Sequence, residues 1–408
     1  MVCLPAVADT SPLTMVDGEL TLALQPSGSQ TRAFILPKSD IDVQMAPRLI
    51  IRASPNIMLN EQLLQLQAHQ LQLLTSYSDD DIVMLLPLAS ASSTTDILRC
   101  AREVAAMAGV RYAIPDLLFT STFTASPYPY YDLDNFRITD ALPALQTLWQ
   151  QAQGEGVNVA VIDDGFQMTH RDWQHTHIIN PALATGPSMS PRQHGAEAAG
   201  VIFAAHSDNQ ANGIAPNANL IAIQLRGGWT SELLMAFDDA VQSRADIISA
   251  SWIVPYITQP LREFISHHSN AKDSVLFVVA AGNRNVSHQY LQALANQPDV
   301  ITVAAADHRL QPLATQLGVK VDLYAPSMLP TPAAEPDKEL TFIGGSSGAT
   351  PVIAGIAALL KSQQPQLSAS QLKQLLIATD AKPPIINLPL VVEHLRQQPQ
   401  VHQLRSSP

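Results

Sequence analysis

A chain of 408 residues is long enough for one large α/β domain with a smaller companion. Hydrophobic residues make up 46% and charged residues 14%, a balance that fits a well-buried globular protein and argues against disorder. The formal charge of −12, with no local Lys/Arg cluster to offset it, argues against a nucleic-acid partner or a hold on an anionic membrane.

The first twenty residues lack a basic n-region and a continuous apolar run, so the expectation is a soluble, cytoplasmic protein without an export signal. Cys3 and Cys100 lie too far apart to suggest a disulfide framework or a metal pair. Residues 1–46 read as an extension with a hairpin, Gly18–Leu24 and then Thr31–Leu36, around Pro26-Ser27-Gly28. Residues 47–119 carry strand patterns at Arg48–Arg52, Leu71–Thr75, Ile82–Pro87 and Arg111–Ile114, with helix patterns at Asn60–Gln70 and Thr95–Met107. That β-α-β-β-α-β order predicts a small ferredoxin-like α+β unit. Residues 120–133, rich in Thr, Ser, Pro and Tyr, read as an exposed linker.

Residues 134–385 alternate strands with helices. Strands are expected at Asn158–Ile162, Leu220–Leu225, Asp246–Ala250, Val275–Ala280, Val300–Ala304 and Val319–Leu323. Helices are expected at Asp140–Gln153, Gly195–Ala205, Ser231–Ser243, Pro260–Asn270, Ser287–Asn296, Ser347–Gln363 and Ala369–Ala378. Near-continuous Val/Ile strands separated by helices predict a doubly wound, mostly parallel sheet covered on both faces. The longest uncharged stretch, Leu340–Leu360, holds too much Gly, Ser and Pro for a membrane span and reads as buried core. A tail, 386–408, adds one short helix, Leu390–Gln397.

Open parallel sheets place their sites beyond the carboxyl ends of the strands. Asp163 ends one strand; it could orient a catalytic base, bind a metal or cap a helix. His194 opens a helix of small residues beside Gly195, and alone would read as a capping or packed histidine. Asn283 follows another strand, where a carboxamide can make a turn or stabilise a developing oxyanion. Ser347 begins a long apolar helix with Pro351 in its first turn, beside backbone N–H groups and the positive end of the helix dipole. An N-cap serine is the bland alternative. Each signal is weak alone; four in order are specific.

Together VAVIDDG, HGAEAAG, VVAAGN and GSSGATPVIAG resemble the Asp, His, oxyanion-Asn and Ser motifs of subtilisin-like serine proteases. GIAPNANLIAIQL, ADIISASW, DVITVAAAD and VDLYAPS match the connecting segments, so the resemblance covers roughly residues 130–385. It implies a serine endopeptidase: Ser347 attacks, His194 carries the proton, Asp163 orients the imidazole, and Asn283 with the Ser347 N–H binds the oxyanion. It implies a peptide or protein substrate paired beside Ser251, Trp252 and Ile253, and no required cofactor. Asp172 matches a calcium aspartate of the family, and Asp208 and Asn209 offer further oxygen ligands for a structural calcium. Residues 47–119 resemble the family's propeptide, an intramolecular chaperone and inhibitor. That resemblance implies a chain that passes through the active site at Leu117–Ser126 and is cut in cis, with a permanent accessory domain of the same topology as the alternative.

Ala196, Ser346 and Gly348 stand where the family usually has Thr, Thr and Met, and Trp252-Ile253 replaces Leu-Gly, which bears on specificity. Asp164 resembles the proprotein-convertase branch. Gly344-Gly345-Ser346-Ser347-Gly348 also fits G-x-S-x-G, with Ser346 as a rival nucleophile and Asp380 and His394 following. His170, His175, His177 and His194 invite a zinc reading, but lack the helical spacing of a zinc protease motif. A catalytically silent peptide-binding module and a peptide ligase are the alternatives on the same scaffold.

Overall fold

In the second half of the chain, short runs of Val, Ile and Ala with no polar face become strands that must be covered on both sides. The computed structural model describes residues 13–18, 20–26, 32–35, 41–56, 71–121, 137–188, 192–207, 211–283, 293–315, 319–334 and 338–398. Within these, β8 (Asn158–Asp163), β9 (Asn219–Gln224), β10 (Ile247–Ala250), β11 (Leu276–Ala280), β12 (Val300–Ala306) and β13 (Leu323–Pro326) form an all-parallel sheet. Its order is β13-β12-β11-β10-β8-β9, so the chain reverses direction across the sheet at β8. The crevice at such a switch point is where ligands enter doubly wound sheets.

Alternate side chains of one strand feed two cores. Val159 and Val161 of β8 pack with α4 (His194–Phe203) and α7 (Gly345–Gln363), while Ala160 and Ile162 face α5 (Thr230–Gln242) and α6 (Gln259–Asn270). Helices α8 (Ala369–Leu376) and α9 (Leu388–Gln397) close the first layer.

Residues 13–121 form a second, antiparallel sheet: β1 (Leu13–Asp17), β2 (Leu20–Pro26), β3 (Ala33–Ile35), β4 (Ile41–Ala53), β6 (Asp81–Pro87) and β5 (Gln72–Ser78), with β7 (Val110–Ser121) on β4. The strand β4 has 13 residues and runs unbroken through 46 and 47, so β1–β3 and the following strands share one sheet. Its pleat again separates two environments. Leu49 and Ile51 pack with α1 (Thr94–Ala105), whereas Ile50 joins Leu233, Leu234 and Phe237 of α5 on the opposite face. The N-terminal unit therefore lies with one sheet face on α5 and α6.

Several elements differ from the expectations, among them β1, which no strand reading covered, and β7, which runs to Ser121 instead of ending at Ile114. The helix expected over Asp140–Gln153 is two pieces, α2 (Ile138–Ala141) and α3 (Ala144–Trp149), because Pro143 between them has no N–H to continue the ladder. The strand expected at Val319–Leu323 is shifted to β13; the Asp322 carboxylate accepts from the Thr302 N–H at 3.0 Å as a lead-in. A hairpin, β14 (Leu329–Pro332) with β15 (Leu340–Ile343), went unread because Pro330 and Pro332 masked its alternation. The helix expected over Asn60–Gln70, most of the 120–133 linker, most of Ser287–Asn296 and the end of the tail lie outside the described residues.

Candidate active site

Asp163, Ser251 and Asn283 all lie at or just beyond the carboxyl ends of β8, β10 and β11, around the switch point. Asp163 is buried, and its Oδ1 accepts from His194 Nδ1 at 2.8 Å and from the Asp164 N–H at 2.7 Å. Its Oδ2 is buried with no hydrogen-bond partner among the described residues, so the carboxylate's charge is answered chiefly by the imidazole.

His194 is the first residue of α4. The next two N–H groups, which a helix start leaves orphaned, donate to the carbonyls of Asp164 and Gly165, each at 2.9 Å. That stitches the helix to the loop leaving β8. The approach requires glycine at 195: a Cβ there would lie 2.7 Å from the Phe166 ring and 2.9 Å from the Gly165 carbonyl. The His-Gly pair is thus a device for bringing the imidazole to a strand end. Burial pulls the imidazolium pKa down, but the Asp163 charge and hydrogen bond outweigh it, and the net shift is upward from 6.5.

Ser347 is the third residue of α7 and half-buried. Pro351, the seventh helical residue rather than a first-turn one, has no N–H to donate to the carbonyl four residues back, which is that of Ser347. The freed carbonyl accepts from Ser251 Oγ at 3.1 Å, and Ser347 Oγ donates to the Ser251 carbonyl at 2.9 Å. A proline inside the helix thereby creates a reciprocal clamp between the serine and the strand-end segment after β10. The Ser347 hydroxyl is turned to this carbonyl, and no hydrogen bond joins it to His194 in the structure. Serine–histidine contacts are often loose before substrate binds.

Ser346 is occupied otherwise. It is 1% exposed, its hydroxyl accepts from the Gly282 N–H at 3.1 Å, and its N–H donates to Asn283 Oδ1 at 2.6 Å. A buried hydroxyl committed to the backbone makes a poor nucleophile, which disposes of the G-x-S-x-G reading. The same contact orients Asn283: its oxygen is anchored, so Nδ2 is the end available to a substrate. Gly348 also has a physical reason, since a Cβ would come 2.6 Å from the Ile343 carbonyl of β15.

Trp252 turns inward, donating its indole N–H to the Ile162 carbonyl at 2.6 Å, while Ile253 is 43% exposed. Gln224, unremarked in the sequence, accepts from the Gly165 N–H and donates to Asp164 Oδ1 at 2.6 Å, bracing the loop between Asp163 and His194. The histidines do not converge. His170 lies 3.6 Å from Asp172, His175 meets the Pro216 carbonyl and His177 meets Asn219. Asp172 is buried beside His170, and among the described residues no three His, Cys, Asp or Glu side chains group as metal ligands. Asp208 and Asn209 lie outside the described residues.

The N-terminal unit reaches the same end of the sheet. Leu118 of β7 makes an antiparallel bridge to Trp229, and the Leu117 carbonyl accepts from Thr230 Oγ1 at 3.1 Å. The fully buried Asp116 caps α5, accepting from the Ser231 N–H at 3.0 Å and the Ser231 hydroxyl at 2.7 Å.

The chain is similar to several known proteins. Subtilisin DY of Bacillus licheniformis is 28% identical over 250 residues, 58% of this chain and 89% of that protein. The thermophilic serine proteinase of Bacillus sp. (strain AK1) is 30% identical over 266 residues, covering 62% of this chain and 64% of that protein. Among solved structures, the prenylagaramide maturation protease PagA superposes with a TM-score of 0.52 at 24% identity, over 62% of this chain and 98% of that one. The model of the subtilase family matches residues 154–398. This chain belongs to the subtilase family of serine proteases.

Proposed function

We propose that the protein is an endopeptidase working through Asp163, His194 and Ser347, with Asn283 and the Ser347 N–H as oxyanion donors. The observation that carries this is the His194–Asp163 bond, together with a half-exposed Ser347 held by Ser251 and an Asn283 amide N–H left to donate. His194 Nε2 takes the Ser347 hydroxyl proton as Oγ attacks the peptide carbonyl, then passes it to the leaving amine; water repeats the sequence on the acyl-enzyme. An extended segment of a peptide or protein substrate suits the open strand ends. The chemistry requires no cofactor.

The protein is made, on this reading, as a zymogen that processes itself. The N-terminal unit chaperones α5 and α6 and brings the end of β7 toward the cleft, with the cut made in cis after it. The support is the passage of β7 across Trp229 and the Asp116 cap on α5.

Intact mass after treatment with a fluorophosphonate probe tests both parts, using the wild type and Ser347→Ala. The expected result is one adduct and a chain break near residues 115–132 in the wild type alone. Neither adduct nor break in the wild type would reject the reading in favour of a silent peptide-binding module.

A further inference from the structure

Along β9 the side chains alternate between two layers. Leu220 and Ala222 enter the core under α4 and α7, while Ile221 and Ile223 enter the other. The period of two returns residue 224 to the first layer, where an apolar side chain would bury its surface at no polar cost. The chain has Gln224 there instead, 4% exposed and directly opposite Asp163 in the β8–β9 register. A buried carboxamide is tolerated only when it is hydrogen-bonded.

Gln224 meets that condition at both ends of its amide. Oε1 accepts from the Gly165 N–H at 3.0 Å, while Nε2 donates to Asp164 Oδ1 at 2.6 Å and to the Leu225 carbonyl at 3.1 Å. These three bonds fix the amide's orientation, because turning it over would set N–H against N–H and oxygen against carboxylate. The stem is closely covered too: a Cβ at Gly186 would lie 3.2 Å from Gln224 Cγ.

The two residues that Gln224 holds, 164 and 165, are also the two that join the Asp163 carboxylate to the His194 helix. The Asp164 N–H donates to Asp163 Oδ1 at 2.7 Å, the same oxygen that accepts from His194 Nδ1. The carbonyls of Asp164 and Gly165 accept from the Gly195 and Ala196 N–H groups at the start of α4, each at 2.9 Å. Gly165, at a φ of 82°, has the freest backbone in the segment, and Gln224 takes its N–H.

We propose that Gln224 is a positioning residue of the active site. It touches no reacting atom. It fixes the Asp164–Gly165 segment, and through that segment the distance and angle between Asp163 and His194. This role rests on the triad reading above and refines it.

Two measurements keep the role and that reading apart. In Ser347→Ala protein, the titration of His194 is followed by NMR, which requires no turnover. Asp163 holds the imidazole pKa above 6.5, so Gln224→Leu, by loosening the pair, brings it down toward 6.5. With Ser347 intact, Gln224→Leu lowers kcat on a peptide by about ten- to a hundredfold with KM little changed, the usual cost of a displaced catalytic group. If Gln224→Leu fails to fold, Asp164→Ala breaks the brace from its partly exposed end and gives the same two changes. Asp164→Asn keeps an oxygen for Gln224 Nε2 and restores most of the kcat lost in Asp164→Ala, which a general loss of stability would not do. The double variant loses no more than the larger single loss, because both changes cut one brace. An unchanged His194 titration in folded Gln224→Leu protein overturns the role, and so do losses in kcat that multiply in the double variant. A wild type that takes no fluorophosphonate adduct overturns the triad reading instead, and the NMR titration still decides the role of Gln224.

Discussion

Asn283 is held by its oxygen to the Ser346 N–H, so its amide N–H is preorganised, and on the proposed mechanism Asn283→Ala removes an oxyanion donor together with the acceptor of the Ser346 N–H. The expected result is a drop in kcat of about 10²–10³ with KM little changed, read from steady-state kinetics on a peptide. The imidazole must be neutral to accept the serine proton. Because Asp163 raises the His194 pKa above 6.5, the acid limb of kcat/KM should lie above that value, with activity rising as pH increases through it. Asp163→Asn removes the charge that raises it, so the limb should move acid while kcat falls by about 10⁴. A limb that stays put would mean another group controls it. By linkage, the raised His194 pKa contributes stability that is complete below 6.5 and lost as pH rises through the folded value.

At the scale of elements, the site depends on how closely α4 approaches the β14–β15 hairpin. A Cβ at Gly200 would lie 1.9 Å from Thr331 Oγ1 and 2.7 Å from Pro332 Cδ. Thr331 Oγ1 also donates to the Glu197 carbonyl at 2.9 Å, so the hairpin cannot shift without losing a buried bond. Gly200→Ala should therefore destabilise the protein by about 1–3 kcal/mol, measured by denaturant unfolding. A neutral result would show that the hairpin moves freely. The Ser251–Ser347 clamp is a second such contact. Ser251→Ala leaves the carbonyl freed by Pro351 unpaired, and labelling of Ser347 by the fluorophosphonate should slow several-fold.

Across the whole molecule, the N-terminal sheet and α6 meet at a titratable cluster. Tyr77 of β5 packs edge-on against His267 at 4.8 Å and lies 6.4 Å from His268, while Arg52 stacks on Tyr77 and pairs with Glu263. Burial, helped by the neighbouring His267, pushes the His268 pKa down to about 4, and its Nε2 is buried without a hydrogen-bond partner among the described residues. The folded state resists a proton that the unfolded chain accepts near 6.5, so this contact's stability is present above 6.5 and declines as pH falls toward 4. Hydrogen exchange in β5 should accelerate over that window, and His268→Phe should flatten the response. Equal acceleration in both proteins would place the acid sensitivity elsewhere.

The C-terminal half was readable because its signals are local. Six apolar runs became strands, five of them within about two residues of the reading, and the four motif residues each sit where a strand end or helix start puts them. Gly195, singled out beside His194, proves to sit tightly against Phe166, whereas the equally tight approach of Gly200 to Thr331 was not read from the sequence. What stayed hidden depends on partners distant in the chain. Nothing near Asp17 announces a bond to Tyr256, 239 residues away, and nothing near Ser346 says that its hydroxyl, not its neighbour's, is spent on Gly282. Patterning of apolar residues is set by the period of each element and survives in the sequence alone. The pairing of buried polar groups is set by which elements pack together, and only the tertiary structure decides it.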